Sequence, residues 1–318
     1  MAKLLYYDVL QYQPENIAFL ESHFEVLRLL NPDHDNDDVL ANADVLLAPL
    51  GWRVDAKKMD RCPRLKAIAS NTTSITHIDV EAAQARNIRV IALQTCKAFL
   101  NTITPTAEHT WGLLLAVLRR TPWAHQSAMN GTWNRRLFPG PRMLSSMSLG
   151  LVGLGRLGKM VARYGHAFGM ELHYYDPHSD YGELSLIRHS SLESLVSSVD
   201  IVSLHVSQTP ETRGLLNGDV LRKFRRGSYL INTSFGEVLD EGSLLACLQD
   251  GHIAGTGLDV LSGEFVPGFS NGLKDHPLVE FARTNDAVVL TPHIGGSTID
   301  AWRMTERHTL ETIQEFLK

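Results

Sequence analysis

Short apolar runs, separated by stretches of helical spacing, constrain this chain more than any other feature. LLYYDVL (4–10), EVLRLL (25–30), ADVLLAP (43–49), LKAIAS (65–70) and IRVIAL (88–93) read as strands. ENIAFLESHF (15–24) and HIDVEAAQARN (77–87) carry helical apolar spacing between them. Strands that alternate with helices predict a parallel sheet covered on both faces. The alternation resumes at Ser148 with SLGLV, ELHYYD (171–176), DIVSLHV (200–206), GSYLINTS (227–234), IAGTGLDV (253–260) and AVVLTPH (287–293). The fold class is therefore α/β, with two doubly wound parallel-sheet units. A length of 318 residues suits two domains, at about 150 residues each. Between the halves, TAEHTWGLLLAVLRR predicts a long helix from Thr104 to Arg120, with Pro105 in its first turn. It is apolar around most of its circumference, which predicts burial between domains or subunits. Residues 121–142, rich in Trp, Pro and Gly, read as a partly irregular segment suited to an interface arm.

The strongest single motif is Gly153-Leu154-Gly155-Arg156-Leu157-Gly158. It follows an apolar strand and opens a helix, and an acid, Asp176, ends the next strand. In such a turn the first glycine makes the bend, the second admits a pyrophosphate and the third lets helix and strand pack closely. The pyrophosphate would rest on the helix N-terminus. Three packing glycines would be the bland alternative, but the strand, helix and acid together favour a dinucleotide. Asp176 can accept from a ribose 2′-hydroxyl and would repel a 2′-phosphate. No arginine follows it in Pro177-His178-Ser179, so NAD is expected over NADP.

Composition removes other classes. Thirty basic residues against 35 acidic ones leave a net charge of −5, which argues against a nucleic-acid partner or a charged membrane patch. No uninterrupted apolar stretch is long enough to span a bilayer, and no secretory leader is recognised at the N-terminus, so a cytoplasmic location is expected. Cys62, Cys96 and Cys247 are odd in number and widely spaced, so neither a disulfide framework nor a metal site is expected. The acidic run NPDHDNDD (31–38) lacks the spacing and glycine of a calcium loop.

INTSFGEVLDEG (231–242), GTGLDVLSGEF (255–265) and LTPHIGGST (290–298) fall at ends of predicted strands, where open α/β sheets place ligands. With the glycine turn and TAEHT, they resemble the D-isomer-specific 2-hydroxyacid dehydrogenase family over essentially the whole chain. The resemblance implies a flavodoxin-like substrate-binding domain made of residues 1–100 plus 293–318. It implies an inserted NAD-binding Rossmann domain of residues 101–292, and an interdomain cleft that closes over cofactor and substrate. It also implies a homodimer joined through the cofactor domains, a use that the 106–118 helix and the 121–142 segment fit. The implied reaction is hydride transfer between NAD(H) and a small-molecule 2-keto or D-2-hydroxy acid. By the same resemblance His293 is the acid/base, Glu264 its carboxylate partner, and Asp259 an acid near the nicotinamide carboxamide. His205 lines the nicotinamide-ribose side, Thr233 is counted with the cofactor contacts, and Thr72, Thr73 and Ser74 form the substrate loop. A histidine that titrates near neutral pH suits the proton that a keto oxygen needs.

Three positions depart from the family pattern. Phe235 stands where the family carries the arginine that binds the substrate carboxylate and polarises the keto oxygen. Phenylalanine offers none of the five donors of arginine. Ser74 replaces a loop glycine, and Phe265 replaces a proline after Glu264. Phe235 leaves three accounts open: an engineered replacement, a natural member with a different substrate, or a non-catalytic, NAD(H)-binding regulatory member.

Overall fold

The computed structural model describes residues 1–179, 182, 184–266 and 268–318. The chain divides into two compact units, Met1–Ile103 with Ser297–Lys318, and Thr104–Gly296. By this division the second crossing falls after Gly296, and His293 lies in the second unit.

In the first unit five strands form one parallel sheet: β1 (Lys3–Tyr7), β2 (Glu25–Leu29), β3 (Val45–Leu47), β4 (Ala67–Ser70) and β5 (Arg89–Ala92). Their order is β2-β1-β3-β4-β5, the flavodoxin-like arrangement. β1 is shorter than the apolar run 4–10 suggests, because Asp8–Leu10 turns into a 3-10 helix. One apolar cluster lies around Leu5, Leu46 and Ile68, the other around Leu4, Val45 and Ala67. Alternate residues of each strand thus feed opposite faces. The helix Ile299–Phe316 returns to this unit and packs on the helix Pro14–His23. Buried Asn16 fixes that contact. Its Nδ2 donates to Glu306 Oε2 at 2.8 Å and to the Arg303 carbonyl at 3.0 Å, and its Oδ1 accepts from Arg307 Nε at 3.0 Å.

Among the described residues the second unit has seven parallel strands: β6 (Ser148–Val152), β7 (Glu171–Tyr175), β8 (Ile187–Arg188), β9 (Ile201–Leu204), β10 (Ser228–Asn232), β11 (Ile253–Leu258) and β12 (Val288–Leu290). Their order is β12-β11-β10-β9-β6-β7-β8. The direction of winding reverses between β6 and β9, the switch point where such sheets bind ligands. Apolar clusters fill both faces, one around Val202, Leu230 and Leu258, the other around Leu149, Leu151 and Ile231.

The apolar helix Pro105–Leu118 covers this sheet, against β10, β11, β12 and the helix Arg156–Ala167. Its apolar circumference is therefore used inside its own unit. β11 admits it through two glycines. A Cβ on Gly255 would lie 2.8 Å from Val117 Cγ1, and one on Gly257 would lie 3.0 Å from Leu113 Cβ. Residues 121–142 contain a helix, Thr121–Met129, that the Trp, Pro and Gly content obscures. Among the described residues, no helix is long and apolar enough to cross a membrane. Replacing Gly257 with Val should drive this helix off β11 and lower unfolding stability by about 1–3 kcal/mol. Denaturant titration measures the loss, and unchanged stability would contradict the packing described.

Candidate functional site

The glycine turn sits at the C-terminal end of β6. Gly153 has φ +90°, and a Cβ there would meet the His205 carbonyl at 2.6 Å. A Cβ on Gly158 would meet the Gly153 carbonyl at 2.3 Å. These two glycines are packing requirements. Gly155 differs, because a Cβ there would meet nothing within 4 Å. It is the N-cap of the helix Arg156–Ala167 and offers no capping side chain. The first-turn amide of Leu157 has no acceptor within the helix, as at any helix start. An open cradle at an uncapped N-terminus fits a pyrophosphate.

Asp176 stands beside this turn. Its Oδ2 accepts from the Leu154 amide and its Oδ1 from the His178 amide, both at 2.7 Å. These bonds fix the carboxylate and leave lone pairs for a ribose diol. His205 follows β9, and its Nε2 pairs with Ser203 Oγ at 2.9 Å. Burial pushes its pKa down to about 3, so it is neutral and contributes shape, not charge. Thr233 is buried, with its hydroxyl 2.8 Å from that of Thr110. Thr110 gives its own proton to the Thr106 carbonyl, so Thr233 donates in that pair.

Asp259 directly follows β11 and is buried. Thr291 Oγ1 donates to its Oδ1 at 2.6 Å, as does the Ile294 amide at 2.9 Å. The Gly295 amide donates to Oδ2 at 2.7 Å. His109 Nε2, from the helix Pro105–Leu118, lies 3.2 Å from Oδ1 and 2.9 Å from Thr291 Oγ1. Burial alone would raise the Asp259 pKa. The bonds from His109, Thr291, Gly295 and Ile294 outweigh it and hold the carboxyl below its ordinary range. Sequence reasoning missed His109 and Thr291. His109 lies in TAEHT and Thr291 in LTPHIGGST, but a contact across 182 residues leaves no local signal.

His293 hangs from this anchored turn. Its amide donates to the Asp259 carbonyl at 2.8 Å, and its φ of +53° lies in the left-handed region, where non-glycine residues are uncommon. Its Nδ1 meets Glu264 Oε1 at 2.8 Å. The Glu264 hydrogen bond raises the histidine pKa, against an opposing effect of burial and with added help from the negative charges of Glu264 and Asp259. The His293 side chain is 40% exposed and that of Glu264 only 14%, so the ring remains open to a ligand. Phe265 lies beside it, with ring centroids 5.4 Å apart.

Phe235 sits after β10 on a turn braced by Asn232. Asn232 Oδ1 accepts from Ser234 N at 2.9 Å and from Ser234 Oγ at 2.8 Å, and Nδ2 donates to the Phe235 carbonyl at 3.0 Å. The Phe235 ring packs on the apolar cluster of Val202, Leu230 and Leu258. Thr72, Thr73 and Ser74 belong to the first unit, after β4. Thr72 Oγ1 donates to the Ser74 carbonyl at 2.6 Å, and Thr73 is exposed. Among the described residues no group of three or more His, Cys, Asp or Glu side chains could hold a metal.

Comparison with known proteins agrees with this geometry. Residues 111–295 match the model of the NAD-binding domain of the D-isomer-specific 2-hydroxyacid dehydrogenases. The chain belongs to this family. Its cofactor is accordingly a nicotinamide dinucleotide. A D-3-phosphoglycerate dehydrogenase from Bacillus subtilis is 33% identical over 286 residues, 89% of this chain and 51% of the relative. The chain thus spans about half the length of that relative. A glyoxylate reductase from Thermofilum pendens is 38% identical over 275 residues, 84% of this chain and 76% of the relative. The structure of D-lactate dehydrogenase from Aquifex aeolicus, complexed with NAD and lactic acid, matches with a TM-score of 0.84 at 24% identity. That match covers 100% of this chain and 95% of the other, and it speaks for the fold.

The raised His293 pKa has a signed consequence. The Glu264–His293 pair stabilises the fold fully below the ordinary histidine pKa, and that contribution disappears as pH rises through the raised one. In Glu264→Gln, His293 should titrate at lower pH than in the parent chain, as read from its ring proton resonances. The stability difference between the two chains should shrink as pH rises through that window. Identical titration in both chains would contradict the pairing.

Proposed function

We propose that this chain is an NAD(H)-dependent oxidoreductase that interconverts a 2-keto acid and its D-2-hydroxy acid. The observation that carries the reading is the Glu264–His293 pair, at 2.8 Å, on the family's NAD-binding unit. The keto carbon would receive its hydride from the bound nicotinamide. Gly155 with the Arg156 and Leu157 amides would hold the pyrophosphate, with Gly153 and Gly158 shaping the turn. Asp176 would hold the adenosine ribose, which favours NAD over NADP because its carboxylate repels a 2′-phosphate. His205 and Thr233 are assigned to the remaining cofactor contacts, and Asp259, its oxygens taken by donors of its own unit, would act there through the turn it anchors.

His293 acts as acid and base. Its Nδ1 is engaged by Glu264, so Nε2 faces the substrate and gives its proton to the keto oxygen. Glu264 keeps the ring oriented and protonated to higher pH than an isolated histidine, which suits reduction. Thr72, Thr73 and Ser74 of the first unit are assigned to the substrate, and that unit to substrate binding.

Phe235 weakens this chemistry. It cannot bind a carboxylate or stabilise charge on the keto oxygen, and loss of one such donor typically costs about 100- to 1,000-fold in rate. The reading extends to a homodimer, supported by the exposed apolar side chains of Met129, Trp133, Leu137 and Met143 on one stretch of chain. It extends also to a reducing, cytoplasmic setting, supported by three free cysteines, two of them buried.

The test is NADH oxidation with a panel of 2-keto acids, on this chain and on Phe235→Arg in parallel. The expected result is slow turnover by this chain and a gain of about 100-fold or more in the variant. NADH binding without turnover by either chain would overturn the reading in favour of a non-catalytic, NADH-sensing member.

A further inference from the structure

Glu264 can orient His293 only if its own turn is held, and the turn that carries it is held from outside. Leu261, Ser262, Gly263 and Glu264 form a tight turn closed by a bond from the Glu264 amide to the Leu261 carbonyl at 3.3 Å. Gly263 has φ +77°, the conformation that a type II turn demands at its third residue. Closing that turn leaves the two central amides unused. Both go to carboxylates. The Ser262 amide donates to Glu241 Oε1 at 2.7 Å, and the Gly263 amide to Glu237 Oε1 at 3.3 Å. The other Glu241 oxygen, Oε2, lies 3.3 Å from His276 Nε2.

The backbone enforces the same approach. A Cβ on Gly236 would lie 2.1 Å from the Leu261 carbonyl carbon and 2.2 Å from the Ser262 nitrogen. The segment that carries Phe235 is therefore pressed directly on the turn that carries Glu264. Glu241 opens the helix Glu241–Gln249, where Asp240 already serves as N-cap by accepting from the Ser243 amide. An ordinary acid in a helix first turn points to solvent and meets only the helix dipole. Glu241 instead has a side chain just 15% exposed, placed between the Ser262 amide and His276.

We propose that Glu241 is a positioning residue: by receiving the Ser262 amide it fixes the Leu261–Glu264 turn and so sets the Glu264 carboxylate against His293. The inference rests on the reading of His293 as acid and base, and gives that reading its supporting layer. Two variants separate side-chain length from charge. Glu241→Asp keeps a negative charge at the helix start but withdraws the acceptor by one methylene. Glu241→Gln loses the charge but keeps an oxygen at the right reach for the Ser262 amide.

The readout is the titration of His293 by NMR on the whole chain, beside the parent and Glu264→Gln. In Glu241→Asp the His293 pKa should fall most of the way to its value in Glu264→Gln. In Glu241→Gln it should stay near the parent value. A folded Glu241→Asp chain whose His293 titrates like the parent would overturn the proposal, as would an equal fall in both Glu241 variants. If Glu241→Asp fails to fold, Glu241→Gln still decides, because a full fall there contradicts the role given to its reach. The titration reads the turn whether or not the chain turns over substrate. Absent turnover would thus count against the oxidoreductase reading alone, not against this one.

Discussion

The second unit depends on one buried carboxylate. Asp259 is 2% exposed, and an ionised carboxyl at that depth is tolerated only when its oxygens are fully occupied by donors. The donors come from the turn after β12, through Thr291, Ile294 and Gly295, and from His109 on the covering helix. The same requirement that satisfies the charge therefore ties β11, the turn and the helix together. It also explains the backbone of His293, which keeps a left-handed φ because the residues on both sides of it are held by one side chain. Strain of this kind persists where the surroundings over-determine it.

From that anchor the chemistry follows in layers. Asp259 places His293, Glu264 sets its ring and its charge, and the amides of the Glu264 turn are taken by Glu237 and Glu241. The nucleotide side is built in the same way, with Asp176 holding the Leu154 amide and the packed glycines holding the turn to His205. Phe235 is the exception. Its backbone is braced by Asn232, but its ring packs against the apolar cluster and presents no donor.

Much of this was legible in the sequence, because the signals were local. Gly153, Gly155 and Gly158 stand between a strand and a helix, and the apolar runs mark the strands of both sheets. Less was legible where the cause is distant. The two-residue strand β8 is too short for a pattern, and the helix Thr121–Met129 is hidden by its Trp and Pro. The apolar helix Pro105–Leu118 looked suited to an interface, since hydrophobicity shows burial but not the partner. Its partner is the glycine-notched β11. His109, Thr291 and Glu241 act through contacts with residues far along the chain, and nothing in their immediate neighbours announces this. The glycine turn also shows a finer division than its spacing does. Gly153 and Gly158 are required by protein contacts, and only Gly155 keeps space open.

The proposed reaction is hydride transfer between a nicotinamide and a carbonyl carbon, with His293 moving the proton. Its most direct test follows the hydride itself, with NADH deuterated at the transferred position and a 2-keto acid as acceptor. Deuterium is expected on the carbinol carbon of a D-2-hydroxy acid, formed slowly by this chain and abolished in His293→Ala. Deuterium transfer that persists unchanged in His293→Ala, or product of the opposite hand, would contradict it.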